Sequence, residues 1–287
     1  MSVRAAPRAG ARSASAGKWA RRAPGLLLLP ALLVGAVPSN ANGQAVQRRQ
    51  VFTWSGEIPA SRWIRLRDLN GSIIVGASTS KNVEVTAVAT WRRGSPDIVR
   101  FDVRHFGPQG GQESVLICAL WKTSTCSERS YDSRGETTRD DDVAIEFTVR
   151  VPRGVNVGAS TVNGEIRVAS VSGDVDAETT NGELVLATAA GSIRGSNVNG
   201  NVTVKVDTVN AARGITASTV NGNVRADLPA RLDAQVNLST TTGSLTSDYP
   251  IAMSARYGPR RVQAPIGRGG PWINLSTVNG SLELRRR

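Results

Sequence analysis

The clearest candidates for chemistry in this sequence are carboxylates that directly follow glycines. Glu165, Asp174 and Glu183 occur nine residues apart, each one after a glycine. Paired carboxylates can hydrolyse a glycosidic bond, and stacked repeats would bring Glu165 and Glu183 into one column, with Asp174 on the other side. A column of polar groups beside turns is more typical of a solvated edge, so we predict no catalytic residue here.

Other catalytic and metal-binding groups are scarce. His105 is the only histidine, and it lies in a strand-like run, which leaves no Ser-His-Asp triad and no zinc site elsewhere. Asp140, Asp141 and Asp142 could bind Ca²⁺, but three adjacent acids point in different directions, and a solvated hairpin loop is the favoured interpretation. We therefore predict no metal and no cofactor.

Two tryptophans with arginine neighbours are candidate ligand contacts. Trp63 follows Arg62, and Trp91 precedes Arg92 and Arg93. Such rings could stack on a carbohydrate. The alternative, which the sequence favours, is that large apolar side chains close the open ends of a thin core.

A nine-residue repeat must position all of these groups. Gly164, Gly173, Gly182, Gly191 and Gly200 are evenly spaced, and an apolar residue follows two positions after each. Apolar and polar residues then alternate, which predicts half-buried strands, and Asn-Gly or Ser-Gly pairs predict turns between them. Because the turns alternate in type, the unit is eighteen residues with two unlike corners. The pattern predicts an all-β solenoid of stacked rungs. It is compatible with either a two-sheet or a three-sided solenoid.

The turn residues should stack as a ladder, with neighbours about 4.8 Å apart if the rungs pair as strands. Thr242-Gly243 replaces Asn-Gly one step after Asn221, and residues 276–284 repeat the motif as a last rung, after an irregular connection over 247–270. The predicted ladder consists of Asn70, Gly71, Asn163, Gly164, Gly173, Asn181, Gly182, Gly191, Asn199, Gly200, Asn221, Gly222, Gly243, Asn279 and Gly280.

The first 45 residues have the character of a secretory signal peptide. Six basic residues and no acid precede the apolar run 25–37, and small residues allow cleavage after Ala41 or Ala45. Removal of this segment would lower the net charge from +12 to about +6, since 29 basic and 23 acidic residues remain. We expect an exported protein, in the periplasm, on the outer surface or in the medium. The alternative is a retained membrane anchor, and the scattered arginines do not favour nucleic-acid binding.

After a short lead-in, residues 62–287 are predicted to form a single domain. Residues 46–61 are a lead-in with a first strand from Val51 to Trp54, residues 62–159 are less regular, and residues 160–287 carry the regular repeats. Cys118 and Cys126 are the only cysteines. In an exported chain, two cysteines this close in sequence predict a disulfide.

The repeated motif resembles a known family. The pattern [Ser/Thr]-x-[Val/Thr]-Asn-Gly-x-[Ile/Val/Leu]-x-[Val/Leu] occurs at 160–168, 178–186, 196–204, 218–226 and 276–284. Together with FTVRVPRGVNVGASTVNG (147–164) and GRGGPWINLSTVNGSLEL (267–284), it is similar to the bacterial β-strand-repeat family known by the label "putative adhesin", over roughly 60–285. The resemblance implies a solenoid-like stack in the cell envelope or outside it, and it implies no catalytic residues.

Two functional hypotheses follow. The first is a non-enzymatic, exported binding or scaffold module, whose partner is an envelope protein or a glycan. The second is an enzyme that processes envelope polysaccharide on a β-helical fold. An enzyme requires a concave groove in which acids and basic residues converge, whereas a scaffold presents smooth ladders.

Overall fold

The computed structural model describes residues 45–108, 111–128, 130–132, 141–209, 213–251 and 260–287. Within these ranges the chain forms β-strands, one short 3-10 helix (Pro96–Ile98) and no α-helix, which confirms the all-β prediction. No helix found there is long and apolar enough to cross a bilayer. The proposed signal peptide lies, apart from Ala45, outside the described residues.

The strands are numbered in chain order: β1 (Gln47–Glu57), β2 (Trp63–Arg67), β3 (Ile73–Ala77), β4 (Asn82–Trp91), β5 (Val99–Phe106), β6 (Ser114–Trp121), β7 (Thr125–Cys126), β8 (Tyr131–Asp132), β9 (Ala144–Val151), β10 (Asn156–Asn163), β11 (Ile166–Val171), β12 (Val175–Asn181), β13 (Leu184–Thr188), β14 (Ile193–Asn199), β15 (Val202–Val206), β16 (Ile215–Asn221), β17 (Val224–Leu228), β18 (Ala234–Thr242), β19 (Leu245–Ser247), β20 (Arg260–Ile266), β21 (Trp272–Asn279) and β22 (Leu282–Arg286).

Two ten-stranded sheets face each other. The first sheet has the order β1-β4-β9-β3-β11-β13-β15-β17-β22-β19, and the second has the order β20-β18-β21-β16-β14-β12-β10-β2-β6-β5. Each rung gives one strand to each sheet, and rungs pair in parallel, as β10 with β12 and β11 with β13. The predicted solenoid is therefore two-sided.

The core between the sheets follows directly from alternation along each strand. In β15, Val202, Val204 and Val206 are buried while Thr203 and Lys205 point outward. The same pattern recurs in β12, β13 and β14. Since each rung buries its apolar side chains only against its neighbours and the opposite sheet, the stack stabilises itself cooperatively.

The last rung in sequence is not the last rung in space. β21 and β22 lie between the rung of β16 and β17 and the rung of β18 and β19, so Asn279 separates Asn221 from Thr242. The prediction that Thr242 stacks one step beyond Asn221 is wrong. The reason is that the chain turns back through β20, which pairs antiparallel with β18 and closes that edge. Residues 247–270 were expected to form only an irregular connection, yet they contain this strand.

The other end of the stack is closed by aromatic rings. The lead-in forms β1, which is longer than the strand predicted from Val51 to Trp54 and pairs antiparallel with β4. Phe52 of β1 stacks on Phe101 of β5 with ring centroids 4.6 Å apart, and Phe101 meets Phe147 edge-on at 6.1 Å. These contacts join the two sheets where no further rung follows.

The Asn-Gly corner is held by a ladder of side-chain amides. Nδ2 of Asn181 donates to Oδ1 of Asn163, and Asn199 donates in the same way to Asn181, each at 2.9 Å. Asn221 and Asn279 continue the series at 2.9 and 2.8 Å. Thr242 ends it by donating its hydroxyl to Oδ1 of Asn279 at 3.0 Å.

Glycine follows each ladder asparagine because a side chain at that position would collide with the neighbouring rung. A Cβ atom on Gly182 would lie 2.0 Å from the carbonyl oxygen of Gly164, and one on Gly164 would lie 1.9 Å from that of Gly71. Contacts this short exclude any side chain. Backbone hydrogen bonds fix the same spacing, as from Gly164 N to Asn181 O at 2.8 Å.

A second, buried column lies two residues before the ladder. Thr179 donates its hydroxyl to the carbonyl of Gly164 at 3.1 Å, and Thr219 donates to that of Gly200 at 2.9 Å. Asn197 takes the same position in its rung and donates from its amide to Gly182 at 2.8 Å. These side chains therefore satisfy the turn carbonyls of the neighbouring rung.

Asp68 occupies this column opposite Thr161, where the other rungs have threonine or asparagine. Its carboxyl is 1 % exposed and accepts the backbone N–H of Leu69 at 2.9 Å, while Oδ2 has no partner among the described residues. Burial raises the pKa of Asp68 to about 8, and hydrogen bonds from the backbone of Leu69 and Asn70 offset this only in part.

Replacement of one ladder amide tests the contribution of the ladder. In Asn199→Asp the side chain still accepts from Asn221 but no longer donates to Asn181, and a carboxylate faces the Asn181 oxygen. We expect a loss of about 1 to 2 kcal/mol in unfolding free energy at pH 7, measured by urea denaturation.

Asn201→Asp is the matched control. Among the described residues, Asn201 uses only its side-chain oxygen, which accepts the backbone N–H of Asn223 at 2.9 Å. Asp174 already does this for Ser192 at 2.8 Å. Asn201→Asp should leave stability nearly unchanged, and equal losses in both variants would contradict a specific role for the amide ladder.

Asp68→Asn should stabilise the protein, increasingly so at higher pH. Because the folded pKa lies above the unfolded value, the unfolded chain binds fewer protons between about pH 4 and pH 8, and the wild type loses stability across this window. The variant should match the wild type below pH 4 and exceed it by a few kcal/mol at pH 7. Denaturation midpoints across pH would measure the difference.

Asp97→Asn serves as a control, because the pH dependence of its effect on stability should have the opposite sign. The side-chain hydrogen bond from Arg49 lowers the pKa of Asp97, and one from Ser95 adds to this. Its contribution to stability is therefore present above the unfolded pKa and lost at acid pH. A pH-independent difference between Asp68→Asn and the wild type would show that Asp68 ionises normally in the fold.

Candidate functional site

A groove crosses the outer face of the second sheet. Trp63, Asn156, Asp174 and Ser192 lie side by side on or just before β2, β10, β12 and β14. Each is followed by a buried aliphatic residue that points into the core, such as Ile64 after Trp63, so these four side chains are directed outward. We call them the groove row.

Hydrogen bonds between rungs hold the groove row in register. The backbone N–H of Asp174 donates to Oδ1 of Asn156, and that of Ser192 donates to Oδ1 of Asp174, both at 2.8 Å. The amide of Asn156 donates to the carbonyl of Ser61 at 3.0 Å. The middle of the row is therefore rigid, since the side chains of Asn156 and Asp174 are fixed by the backbone of a neighbouring rung.

One wall of the groove is an aromatic ring with a cation above it. The guanidinium of Arg65 lies 4.4 Å from the centre of the Trp63 ring and 3.3 Å from Oδ2 of Asp176. Arg65 reaches Asp176 by crossing Gly158, where a Cβ atom would stand 2.8 Å from Cγ of Arg65. The small residue at 158 is thus what allows this contact.

The opposite wall contains two more arginines. Nη1 of Arg213 donates to Oδ2 of Asp174 at 2.8 Å, although its side chain remains 66 % exposed. Arg194 is exposed and forms no ion pair within the part of the chain that the structure describes. The groove has two connected parts of about 300 and 390 Å³, and both are lined by Trp63 and Arg213.

The groove combines cations, carboxylates and an aromatic ring. Three arginines and two carboxylates converge beside an indole, and both carboxylates already accept hydrogen bonds from arginine. Planar guanidinium groups suit carboxylate, sulfate and phosphate, while the indole offers a flat apolar surface.

The carboxylates singled out in the sequence are separated by the fold. Asp174 lies in the groove row, whereas Glu165 and Glu183 follow the Asn-Gly corner at the other edge of the sheets, and Glu165 is ion paired with Arg167. Of the tryptophans, Trp63 lines the groove, while Trp91 ends β4 and packs partly buried against the core.

The aspartate cluster has a local structural role where it is described. Oδ1 of Asp142 accepts the backbone N–H groups of Arg92 and Arg93, both at 2.8 Å, and these bonds lower the pKa of Asp142. Asp141 is buried, and Asp140 lies outside the described residues. Across the described ranges, no three His, Cys, Asp or Glu side chains are grouped as a metal site. His105 is exposed, with Nδ1 3.2 Å from the carbonyl oxygen of Gln112.

Cys118 and Cys126 form a disulfide between β6 and β7. Cys118 is fully buried on the outward side of β6, together with Leu116 and Leu120. The hydroxyl of Tyr131 donates to the carbonyl of Ala119 at 2.8 Å and so holds the covering segment in place.

Sequence reasoning missed most of the groove residues. Asp176 and Arg194 are eighteen residues apart and pair in register on β12 and β14, so the repeat length already indicated that they are lateral neighbours. Arg213 stands in an irregular segment, where the spacing changes from eighteen to twenty-two residues. Its contact with Asp174 therefore required the structure.

A two-sided β-solenoid with a surface groove defines the class of this protein. The chain belongs to the family whose model is described as Toastrack DUF4097, which matches residues 50–285. This confirms the resemblance to a family of unknown function. No curated protein sequence matches the chain.

Solved structures of bacterial proteins are similar at low identity. A putative cell adhesion protein from Clostridium sporogenes ATCC 15579 has 8 % identity and a TM-score of 0.43, covering 85 % of this chain and 99 % of its own. A putative adhesin from Bacteroides fragilis NCTC 9343 has 9 % identity and a TM-score of 0.32, covering 81 % of this chain and 96 % of its own.

Removal of the disulfide should lower the free energy of unfolding. For Cys118→Ala/Cys126→Ala we expect a loss of about 2.5 kcal/mol, the chain-entropy value for so short a loop. Urea denaturation should show a lower midpoint. A midpoint equal to that of the oxidised wild type would contradict a stabilising role.

Proposed function

We propose that this protein is an exported, non-enzymatic binding module of the cell envelope or cell surface, and that its groove binds an acidic glycan. The observation that carries the proposal is the convergence of Trp63 with three arginines in one groove. A sugar ring can pack on an indole, and an acidic substituent can bind a guanidinium group.

The charge of the groove favours an anionic ligand. Arg65, Arg194 and Arg213 face two carboxylates, Asp174 and Asp176, which leaves one positive charge in excess. Arg194 has no carboxylate partner within the described ranges, so it can bind an incoming anion without first breaking an ion pair. A glycan bearing carboxylate or another acidic group satisfies both features.

The enzymatic alternative has less support. A glycosidase needs one carboxyl group to act as an acid and a second to act as base or nucleophile. Asp174 and Asp176 are each held by an arginine, and Asp174 also accepts a backbone N–H. The rigid row suits recognition of a polymer more than proton transfer to it.

Export is proposed from the first 45 residues and from the disulfide. A basic segment followed by a short apolar run has the order of a secretory signal, and a disulfide persists in oxidising compartments.

Binding by residues 46–287 to a glycan array and to purified cell wall tests the proposal. We expect saturable binding to acidic glycans that falls at high salt. Trp63→Ala should weaken it at least about tenfold, the effect of losing one aromatic contact of about 1.4 kcal/mol. Arg194→Gln should weaken acidic ligands more than neutral ones.

Matched controls lie far from the groove. Ile74→Ala removes an apolar side chain that is 47 % exposed on the first sheet, and Arg285→Gln removes an arginine of β22, on the same sheet, that is paired with Glu283 at 2.7 Å. Both variants should bind like the wild type. Equal loss in a control and in Trp63→Ala would refute the groove as the site, and release of shortened glycans would refute the non-enzymatic proposal.

A further inference from the structure

A second tryptophan stands on the same face as Trp63. Trp272 is the first residue of β21 and is 44 % exposed, while its neighbour Ile273 is fully buried in the core. Its side chain therefore points outward, as that of Trp63 does. The packing of the core does not account for so large an apolar side chain in solvent.

Trp272 lies at the far end of the groove row. Ile193 pairs with Ile215, which places Gly214 beside Ser192, and Ile215 pairs with Ile273, which places Trp272 beside Gly214. A Cβ atom on Gly214 would lie 2.0 Å from the carbonyl oxygen of Trp272. The row therefore runs without a break from Trp63 to Trp272.

The two rings are separated by five strand steps, which is about 24 Å at the usual strand spacing. Between them lie the short side chains of Asn156, Asp174 and Ser192 and the backbone of Gly214, with the guanidinium of Arg213 bound to Asp174. Arg194 and Arg213 border this stretch. The result is a straight, low track with an indole at each end and cations along its side.

We propose that the ligand is a linear acidic glycan that lies along this track, across the strands, and packs a sugar ring on Trp63 and another on Trp272. This proposal rests on the proposed function and deepens it, because it assigns a second stacking site and the direction in which the glycan lies on the sheet. A globular ligand or a single sugar would contact one ring only. A polymer extended along the stack reaches both.

Because the row is rigid, the contacts at Trp63 and Trp272 can act together on one glycan. Both tryptophans are on strands, and between them the side chains of Asn156 and Asp174 are fixed by hydrogen bonds to the next rung. A chain already held at one ring is presented to the other at high effective concentration. Affinity should therefore rise sharply once the glycan is long enough to span the track.

Calorimetric titration with oligogalacturonates, from the disaccharide to the dodecasaccharide, tests this. In the wild type we expect weak binding of short oligomers and a rise of about tenfold or more when both rings are reached. Trp272→Ala should bind short oligomers like the wild type but lose the rise with length. Ile74→Ala, which alters the other sheet, should keep it, and neutral chito-oligosaccharides should bind more weakly at every length.

The outcomes separate the two proposals. A length profile that Trp272→Ala leaves unchanged would overturn the track while leaving the Trp63 site intact. A flat profile in the wild type would do the same. Failure of the wild type to bind any oligogalacturonate, with the circular dichroism spectrum of a folded chain, would overturn both the track and the acidic-glycan function.

Discussion

The whole structure depends on how closely the rungs approach at the Asn-Gly corner. The backbones of neighbouring rungs lie so close together that only glycine fits, as at Gly164 and Gly182. The asparagine before each glycine then reaches the next asparagine, and a buried threonine hydroxyl binds the turn carbonyl. Three hydrogen-bonding systems, from backbone, amide and hydroxyl, thus fix one register. A slip of one residue would turn every buried valine toward solvent.

The groove is a consequence of that register. Residues eighteen positions apart become lateral neighbours, so side chains from distant parts of the sequence form straight rows across the sheet. At the second corner the rungs are joined through the side-chain oxygens of Asn156 and Asp174, which accept the backbone N–H groups of Asp174 and Ser192. These residues have two roles, since they stabilise the stack and form the floor of the groove. A binding surface made in this way needs no mobile loop to be assembled.

Much of this architecture was predictable, and the exceptions have physical causes. Strict nine-residue spacing with alternating valines predicted stacked strands, because each turn requires glycine and each strand has a buried face. The place of Asn279 was not predictable, since a parallel strand can insert wherever its edge is complementary, and the motif around it fits any rung equally well. Arg213 and Trp272 were missed for the same reason, because their neighbours depend on the spatial order of strands. The role of Asp68 required knowledge of the column it shares with Thr161.

The position of β21 and β22 also constrains how the chain can fold. These strands, near the end of the sequence, form the only ladder connection between the rung of β16 and β17 and the rung of β18 and β19 in the described structure. As the polypeptide is synthesised, β18 to β20 emerge before the strands that attach them, so they remain a separate unit until the final segment arrives. The stack is therefore completed when β21 and β22 insert between two rungs that are already formed. Before that step, rungs can be added in sequence order only as far as β17.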